Sequence, residues 1–390
     1  MFGGMEGPGL RGAGGKEKEW TDCVSVGKKI EHVVRFVRPY VTPARYRSYR
    51  NTRRRAQGLE DKKTVCFDFS STLIDYDHAR YLFQIVKEAE LAGFQIAYRD
   101  RFKFLANFDV KGYKQKLLQK NFCIYSSESE LAEPVLLITD SKKVIESSLF
   151  VRKVWVDYTK RKALGNEFAL PFSVNPNLLD GLSSLTPELL PVDRPVKILL
   201  AGNINPKQYD KKLIGELFQM MTRYEVTSIL RQQNEIPFRE LTRQVEYENL
   251  FEDDDVLLLM NSENCRVPFE MWLHFLSQAD FYMACAGAHM PMSHNLIEAM
   301  SVGSIPILEY AEYLKPSLEH GVNALVYRNK EELLEVLKEA VSMPESKKFE
   351  MRENVSRYYQ NYLSPGKLIP SILSRQESLT LVIFDFTCKK

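Results

Sequence analysis

The chain has 390 residues, more than one compact domain usually takes, so two α/β domains are expected. Hydrophobic residues make up 44% and charged residues 27%, an ordinary globular composition with enough apolar content for sizeable cores. A net charge of +2 excludes both a polybasic nucleic-acid binder and an acidic tail protein as descriptions of the whole chain.

No run approaches the roughly 20 apolar residues needed to cross a bilayer. Residues 1–20 are Gly-rich and polar, lack the apolar core of a secretory signal, and read as disordered. The expectation is a soluble, cytoplasmic protein. The cysteines Cys23, Cys66, Cys123, Cys265, Cys285 and Cys388 are scattered with no CxxC spacing, which argues against a zinc site. Cys66, Cys123 and Cys285 sit in apolar runs and read as buried free thiols, which suits a reducing compartment.

Residues 28–55 mix apolar residues at helical spacing (Ile30, Val33, Val34, Val37) with Lys28, Lys29, Arg35 and Arg38, then continue into a basic run from Arg45 to Arg55. Two readings stand for this arm, which closes a first segment, 1–60. It can rest on an anionic membrane surface as a peripheral contact, or it can be a solvated arm packed on its own domain. Its tyrosines Tyr46 and Tyr49 come with no RNA-binding motif, so no nucleic-acid partner is expected.

A first domain is expected over 61–190. Thr64–Phe69 reads as a strand, Ala79–Leu91 as a helix ended by Gly93, and Phe94–Tyr98, Val135–Thr139 and Lys153–Asp157 as further buried strands. Five prolines within 171–195 (Pro171, Pro176, Pro187, Pro191, Pro195) mark a linker. A second domain is expected over 191–345. It has strands at Val196–Ala201, Val226–Arg231, Val256–Met260, Phe281–Cys285 and Ile305–Leu308, and helices at Lys211–Met221, from Pro268, from Ser293, and at Glu331–Val341 behind an Asn329/Glu332 capping box. A long terminal helix over 346–363 opens a last segment, 346–390, that can pack back on the first domain.

Strand–helix alternation on this scale is the pattern of doubly wound sheets, whose ligands bind beyond the carboxyl ends of the strands. The most informative stretch runs from Ala284 to Leu308. A strand delivers a loop of small residues in which Gly287 lets backbone N–H groups approach a ligand. Ser293 is a good N-cap, so the N–H groups of His294, Asn295 and Leu296 form a helix N-terminus that attracts phosphate. Glu298 lies one turn after His294 on the same face, placed to accept hydrogen bonds from ribose hydroxyls; the alternative is a plain surface glutamate on a core helix.

The stretch HNLIEAMSVGSIPIL, His294 to Leu308, resembles the donor-site segment of GT-B glycosyltransferases. It is similar to exostosin-like members and to the group 1 glycosyl transferases. The segment Gly321-Val-Asn-Ala-Leu-Val resembles the family's glycine–asparagine–glycine–strand ending, with Ala324 in place of the second glycine. The resemblance covers about residues 196–341. It implies an α/β fold of two Rossmann-like domains facing across a cleft and transfer of a sugar from a nucleoside diphosphate to a hydroxyl acceptor, a glycan or other. The donor would be a UDP- or GDP-sugar, with no further cofactor.

By the same resemblance Glu298 would hold the ribose, the loop from Gly287 to Ser293 would lie by the pyrophosphate, and Gly202 would sit close to the donor phosphates. Arg231 would neutralise the diphosphate or else be a surface ion-pair residue, and Lys207 would assist or else be a solvated loop lysine. Retaining members carry a second glutamate eight residues before the ribose glutamate; Met290 stands here, which points to an inverting enzyme. Such an enzyme needs a general base from the first domain. Asp68, Asp75, Asp77 and His78 follow the first strand and Asp100 the second; Asp75 with His78 is the preferred pair, and His289 could touch the transferring sugar. Asp253-Asp254-Asp255 precedes a strand rather than following one, so no metal is expected.

Two other readings compete. Phe67-Asp-Phe-Ser-Ser-Thr-Leu-Ile-Asp resembles the first motif of haloacid-dehalogenase-type phosphatases, but Ser70 stands where their second aspartate belongs. Met290 also suits a GT-B-like scaffold that has lost catalysis and binds sugar or protein.

Overall fold

The computed structural model describes residues 42–383, apart from 110–111, 149, 151, 161–162, 164–166, 172, 180–193, 210–211, 247–248, 252–255 and 376–378. The expectations for residues 1–41, for the aspartates at 253–255, for Pro187 and Pro191, and for Cys388 therefore lie outside the described residues.

Two parallel sheets organise the chain. The first contains β1 (Lys63–Asp68), β2 (Gln95–Arg99), β3 (Cys123–Tyr125), β4 (Glu133–Thr139), β5 (Lys153–Asp157), β6 (Glu167–Ala169) and a late strand, β13 (Leu379–Val382), in the order β3-β2-β1-β4-β5-β13-β6. The second contains β7 (Val196–Gly202), β8 (Phe238–Leu241), β9 (Leu257–Asn261), β10 (Ala279–Met283), β11 (Ile305–Leu308) and β12 (Leu325–Val326), in the order β12-β11-β10-β7-β9-β8. Strands of this kind are covered on both faces, so they read as apolar runs. In β1, Val65, Cys66 and Phe67 are all fully buried. The architecture is α/β, with two Rossmann-like units facing across a cleft, as the sequence resemblance implied. The thiols of Cys66, Cys123, Cys265 and Cys285 are free and buried.

In each sheet the chain reverses its direction of growth beside the first strand laid down. β1 is flanked by β2 and β4, and β7 by β9 and β10. Such a switch point leaves a crevice at the carboxyl ends of the strands, because neighbouring loops turn away from each other there.

Helix α1 (Pro43–Arg55) begins with proline at its first turn and ends on Arg53, Arg54 and Arg55, which complement the helix dipole. It packs on its own domain. Tyr49 donates to Asp100 at 2.8 Å, and Thr52 and Arg45 donate to the carbonyls of Leu105 and Ala106. Helix α2 (Tyr76–Leu91) carries a kink at its start, where Asp77, His78 and Ala79 take left-handed φ values of 47°, 58° and 64°.

After the short helix α3 (Gly112–Leu117), residues 226–231, expected as a strand, belong to helix α4 (Arg223–Gln232). The cause is local. Thr222 and Glu225 form a reciprocal capping box, and Val226 and Leu230, four residues apart, are both fully buried. A β-branched run disguised a helical period.

The rest of the second domain has α5 (Trp272–Ser277), α6 (His294–Ser301) and α7 (Lys330–Ser342), the last capped by Asn329 on the N–H of Glu332 as its capping box implied. The C-terminal segment then ties the two domains. On α8 (Glu345–Tyr358), Lys348 and Arg352 grip the buried Asp280 of β10 at 2.7 and 2.5 Å. The chain continues to α9 (Leu368–Ser374) against α2 and enters the first sheet as β13 between β5 and β6.

Glu88 on α2 fastens that return. Its carboxylate accepts the N–H groups of Gly366 and Leu368 at 2.8 and 3.0 Å, capping α9. Burial pushes its pKa up to about 7 despite those bonds, which pull the other way. A carboxyl with a raised folded pKa favours the folded state below its unfolded value, and that stability is lost as pH rises through the folded value. The loss should amount to about 3 kcal/mol between pH 4.5 and 7. Against E88Q, the wild-type melting temperature should therefore fall between pH 5 and pH 8. A constant difference between the two across that range would contradict this account.

Candidate functional site

A cavity of about 710 Å³ opens at the carboxyl ends of β7 and β10, on the switch point of the second sheet. The second domain contributes Gly202, Arg223, the loop from Gly287, and Glu298; the first contributes Tyr76, Asp77 and Arg80, just beyond β1.

Local chemistry shapes the second-domain wall. Asn295 donates to the Ala201 carbonyl and to the Tyr282 hydroxyl, both at 3.1 Å, and Tyr282 donates to Ala201 at 2.7 Å. These bonds lock the start of α6 to the ends of β7 and β10. Gly202 lies at φ +147°, and a Cβ there would come within 3.2 Å of the Arg223 guanidinium and 3.3 Å of the Asn295 amide. Gly287 closes the small-residue loop by donating its N–H to Pro291, and a Cβ on it would come within 2.7 Å of the Met290 carbonyl oxygen. Gly202 is favoured by its positive φ and Gly287 by the backbone oxygen that leaves no room for a Cβ.

Ser293 has the extended backbone of an N-cap, with φ −132° and ψ 157°, but its side chain makes no capping bond. The N–H groups of His294, Asn295 and Leu296 meet no acceptor among the described residues. The end of α6 thus presents uncompensated donors to the cavity, where the helix dipole adds to them. Burial holds the His294 imidazole below its ordinary pKa, so it is neutral at pH 7.

Glu298 is fully buried as a residue and lines the cavity. One carboxylate oxygen accepts the backbone N–H of Asn175 and the other the indole N–H of Trp272, each at 2.7 Å. The carboxylate therefore stitches the interdomain linker and α5 to α6. Each oxygen retains capacity for a second donor, since an ionised carboxylate offers about four lone-pair sites.

Other expected residues sit elsewhere. Arg231 forms a two-pronged pair with Glu240 at 2.8 and 2.7 Å and does not line the cavity; its surface ion-pair reading is the one observed. Arg223, two turns earlier on the same helix, lines the cavity instead. It donates to the Asn203 carbonyl at 2.9 Å, lies 4.3 Å over the Tyr209 ring, and has no carboxylate partner among the described residues. Lys207 is exposed and outside the cavity, the solvated-lysine alternative. The signal for Arg223 was the Thr222 capping box, which fixes the helix and so places this residue at its start.

In the first domain the preferred pair is also corrected. Asp75 is buried beneath the wall, accepting from Lys114 at 2.9 Å and Asn107 at 3.1 Å. His78 is exposed and does not line the cavity. Asp77, between them, does. The three left-handed residues at 77–79 rotate successive side chains away from the right-handed helix pattern; each costs about 1–2 kcal/mol, strain of the kind that collects at functional sites. Asp100 is held by Tyr49 and Arg53. Asp68 is clasped two-pronged by Arg101 at 2.7 and 2.9 Å, which ties up the carboxylate that the phosphatase reading needs as a nucleophile.

The two walls touch through the Gly287 loop. His289 meets the Tyr76 hydroxyl at 3.3 Å, and Tyr81 donates to the Met290 sulfur at 2.7 Å. Met290 thus spends the position of the missing glutamate on an interdomain contact.

No family model matches the chain, and no curated relative matches it. Solved structures with a similar course include Anabaena Alr3699/HepE in complex with UDP, at 13% identity and a TM-score of 0.40, over 80% of this chain and 100% of that one. A glycosyltransferase from Rickettsia africae ESF-5 has 10% identity and a TM-score of 0.45, over 80% and 97%. An alpha-glucosyltransferase in complex with UDP and a 13-mer DNA has 11% identity and a TM-score of 0.37, over 80% and 100%.

Proposed function

We propose that the chain is a glycosyltransferase that moves a sugar from a nucleoside diphosphate to a hydroxyl acceptor, with inversion at the anomeric carbon. The observation that carries this reading is the convergence on one cleft of the bare N-terminus of α6, the Arg223 guanidinium and the Glu298 carboxylate. The first two suit a diphosphate and the third suits the hydroxyls of the attached pentose.

In this reading the diphosphate rests on the N–H groups of His294, Asn295 and Leu296, and Arg223 offsets the charge that builds on it as the glycosidic bond breaks. Asp77 faces this site from the first domain and accepts the proton of the attacking hydroxyl. Methionine at position 290 leaves no carboxylate there for a retaining route. The reading includes metal-independent turnover: of the carboxylates lining the cavity, Glu263 accepts from Asn205 and Asn203, Glu298 is taken for the pentose hydroxyls, and Asp77 is taken for the attacking hydroxyl. Chelation with EDTA should leave turnover unchanged.

Thermal melting with UDP, GDP and their sugars tests the reading. A true ligand at about 100 times its Kd should stabilise the fold by about 2.7 kcal/mol. In calorimetry E298Q should weaken binding of that ligand at least tenfold, whereas W272F, which leaves the carboxylate in place, should weaken it far less. If no nucleotide or nucleotide sugar raises the melting temperature, the reading fails.

A further inference from the structure

Helix α1 divides its residues between two faces. Ser48 and Thr52 are buried against the first domain. Arg47, Arg50 and Arg54 are exposed and, at spacings of three and four, form one stripe about 10 Å long. None of these three guanidiniums has a partner among the described residues. Their neighbour Arg53, by contrast, pairs with Asp100, and Arg55 donates to the Leu118 carbonyl. Tyr46, beside the stripe, is 57% exposed.

We propose that this face of α1 docks the protein on a bilayer surface bearing anionic lipids. Three arginines that are unpaired among the described residues, on a helix packed against its own domain, keep their charge for an external partner. Headgroup phosphates accept the planar fork of arginine, and a tyrosine beside it suits the headgroup layer. Nucleic acid is the poorer match, because no RNA-binding motif accompanies the arginines and the whole chain carries a net charge of only +2. The helix rests on Asp100 and Leu105 to Asn107, which follow the carboxyl end of β2. Asn107 also donates to Asp75, next to Tyr76 of the cleft wall. The surface itself does not depend on the nucleotide reading.

The test is co-sedimentation of the full chain with phosphatidylcholine vesicles, alone or with about 30% phosphatidylserine. The wild-type protein should pellet only with the anionic vesicles and should release at high salt. The triple variant R47Q/R50Q/R54Q should bind about a hundredfold more weakly. The matching triple lysine variant should regain most of the affinity, which separates lost charge from damaged folding. Equal binding to neutral vesicles, undiminished binding by the glutamine variant, no rescue by lysine, or tighter binding to a single-stranded oligonucleotide than to anionic vesicles would each overturn the proposal.

Discussion

Replacing Arg223 with glutamine is expected to lower kcat/KM for the nucleotide sugar by about 10²–10³, the loss typical of one preorganised donor removed from developing negative charge. The side chain is largely buried, lies over Tyr209, and spends one hydrogen bond on Asn203, so it is held in place before a ligand arrives. Holding it costs nothing further when the diphosphate charge develops. Lysine at 223 keeps the charge but loses the planar fork and should fall between wild type and glutamine. R231Q is the matched control. Arg231 sits on the same helix with its guanidinium committed to Glu240, and an exposed pair of this kind contributes about 1 kcal/mol or less to stability. Its kinetics should stay within about twofold of wild type, since nothing it touches belongs to the cleft. Initial rates and calorimetry with UDP and GDP decide the matter. An R223Q protein that binds nucleotide as well as wild type would place the diphosphate elsewhere.

Asp75 and Asp77, two residues apart, should behave as different kinds of residue. D77N should reduce kcat by about 10²–10⁴, the usual contribution of a general base, with the KM for donor and the melting temperature nearly unchanged. Asp77 lines the cleft and is set there by a left-handed turn. D75N should do the reverse. Asp75 neutralises Lys114, which is fully buried and lies 3.7 Å over the Phe104 ring. Breaking a buried pair by removing one partner costs about 3–5 kcal/mol, because the remaining charge stays out of water. At about 2–4 °C per kcal/mol for a protein of this size, the melting temperature should drop on the order of 10 °C. Should D77N retain wild-type kcat while D75N loses activity without losing stability, the two roles are exchanged and the turn has been misread.

Much of this was legible in the residues alone. The segment 284–308 announced a strand, a tight loop, a helix and a second strand, because small residues, a helical apolar face and Gly303 each restrict the backbone locally. The structure has the Gly287 loop, α6 and β11 there, directly after β10, which ends at Met283, with Gly303 at φ +73°. Apolar runs likewise marked β1, β2, β4 and β5, since burial on both faces leaves no polar positions. The strand β13 was hidden, because nothing local tells a C-terminal apolar run that its neighbours are β5 and β6, more than 200 residues earlier in the numbering.

Local rules thus determined the elements and the Gly287 loop, through backbone restriction and apolar periodicity. Only the tertiary structure decided which polar side chains meet in the cleft. Whether an arginine or an aspartate faces a ligand depends on partners distant in sequence. Lys114 claims Asp75, Arg101 claims Asp68, and Trp272 with Asn175 shares Glu298. A charged group settles on whichever partner offsets its desolvation, and sequence spacing carries no record of that partner.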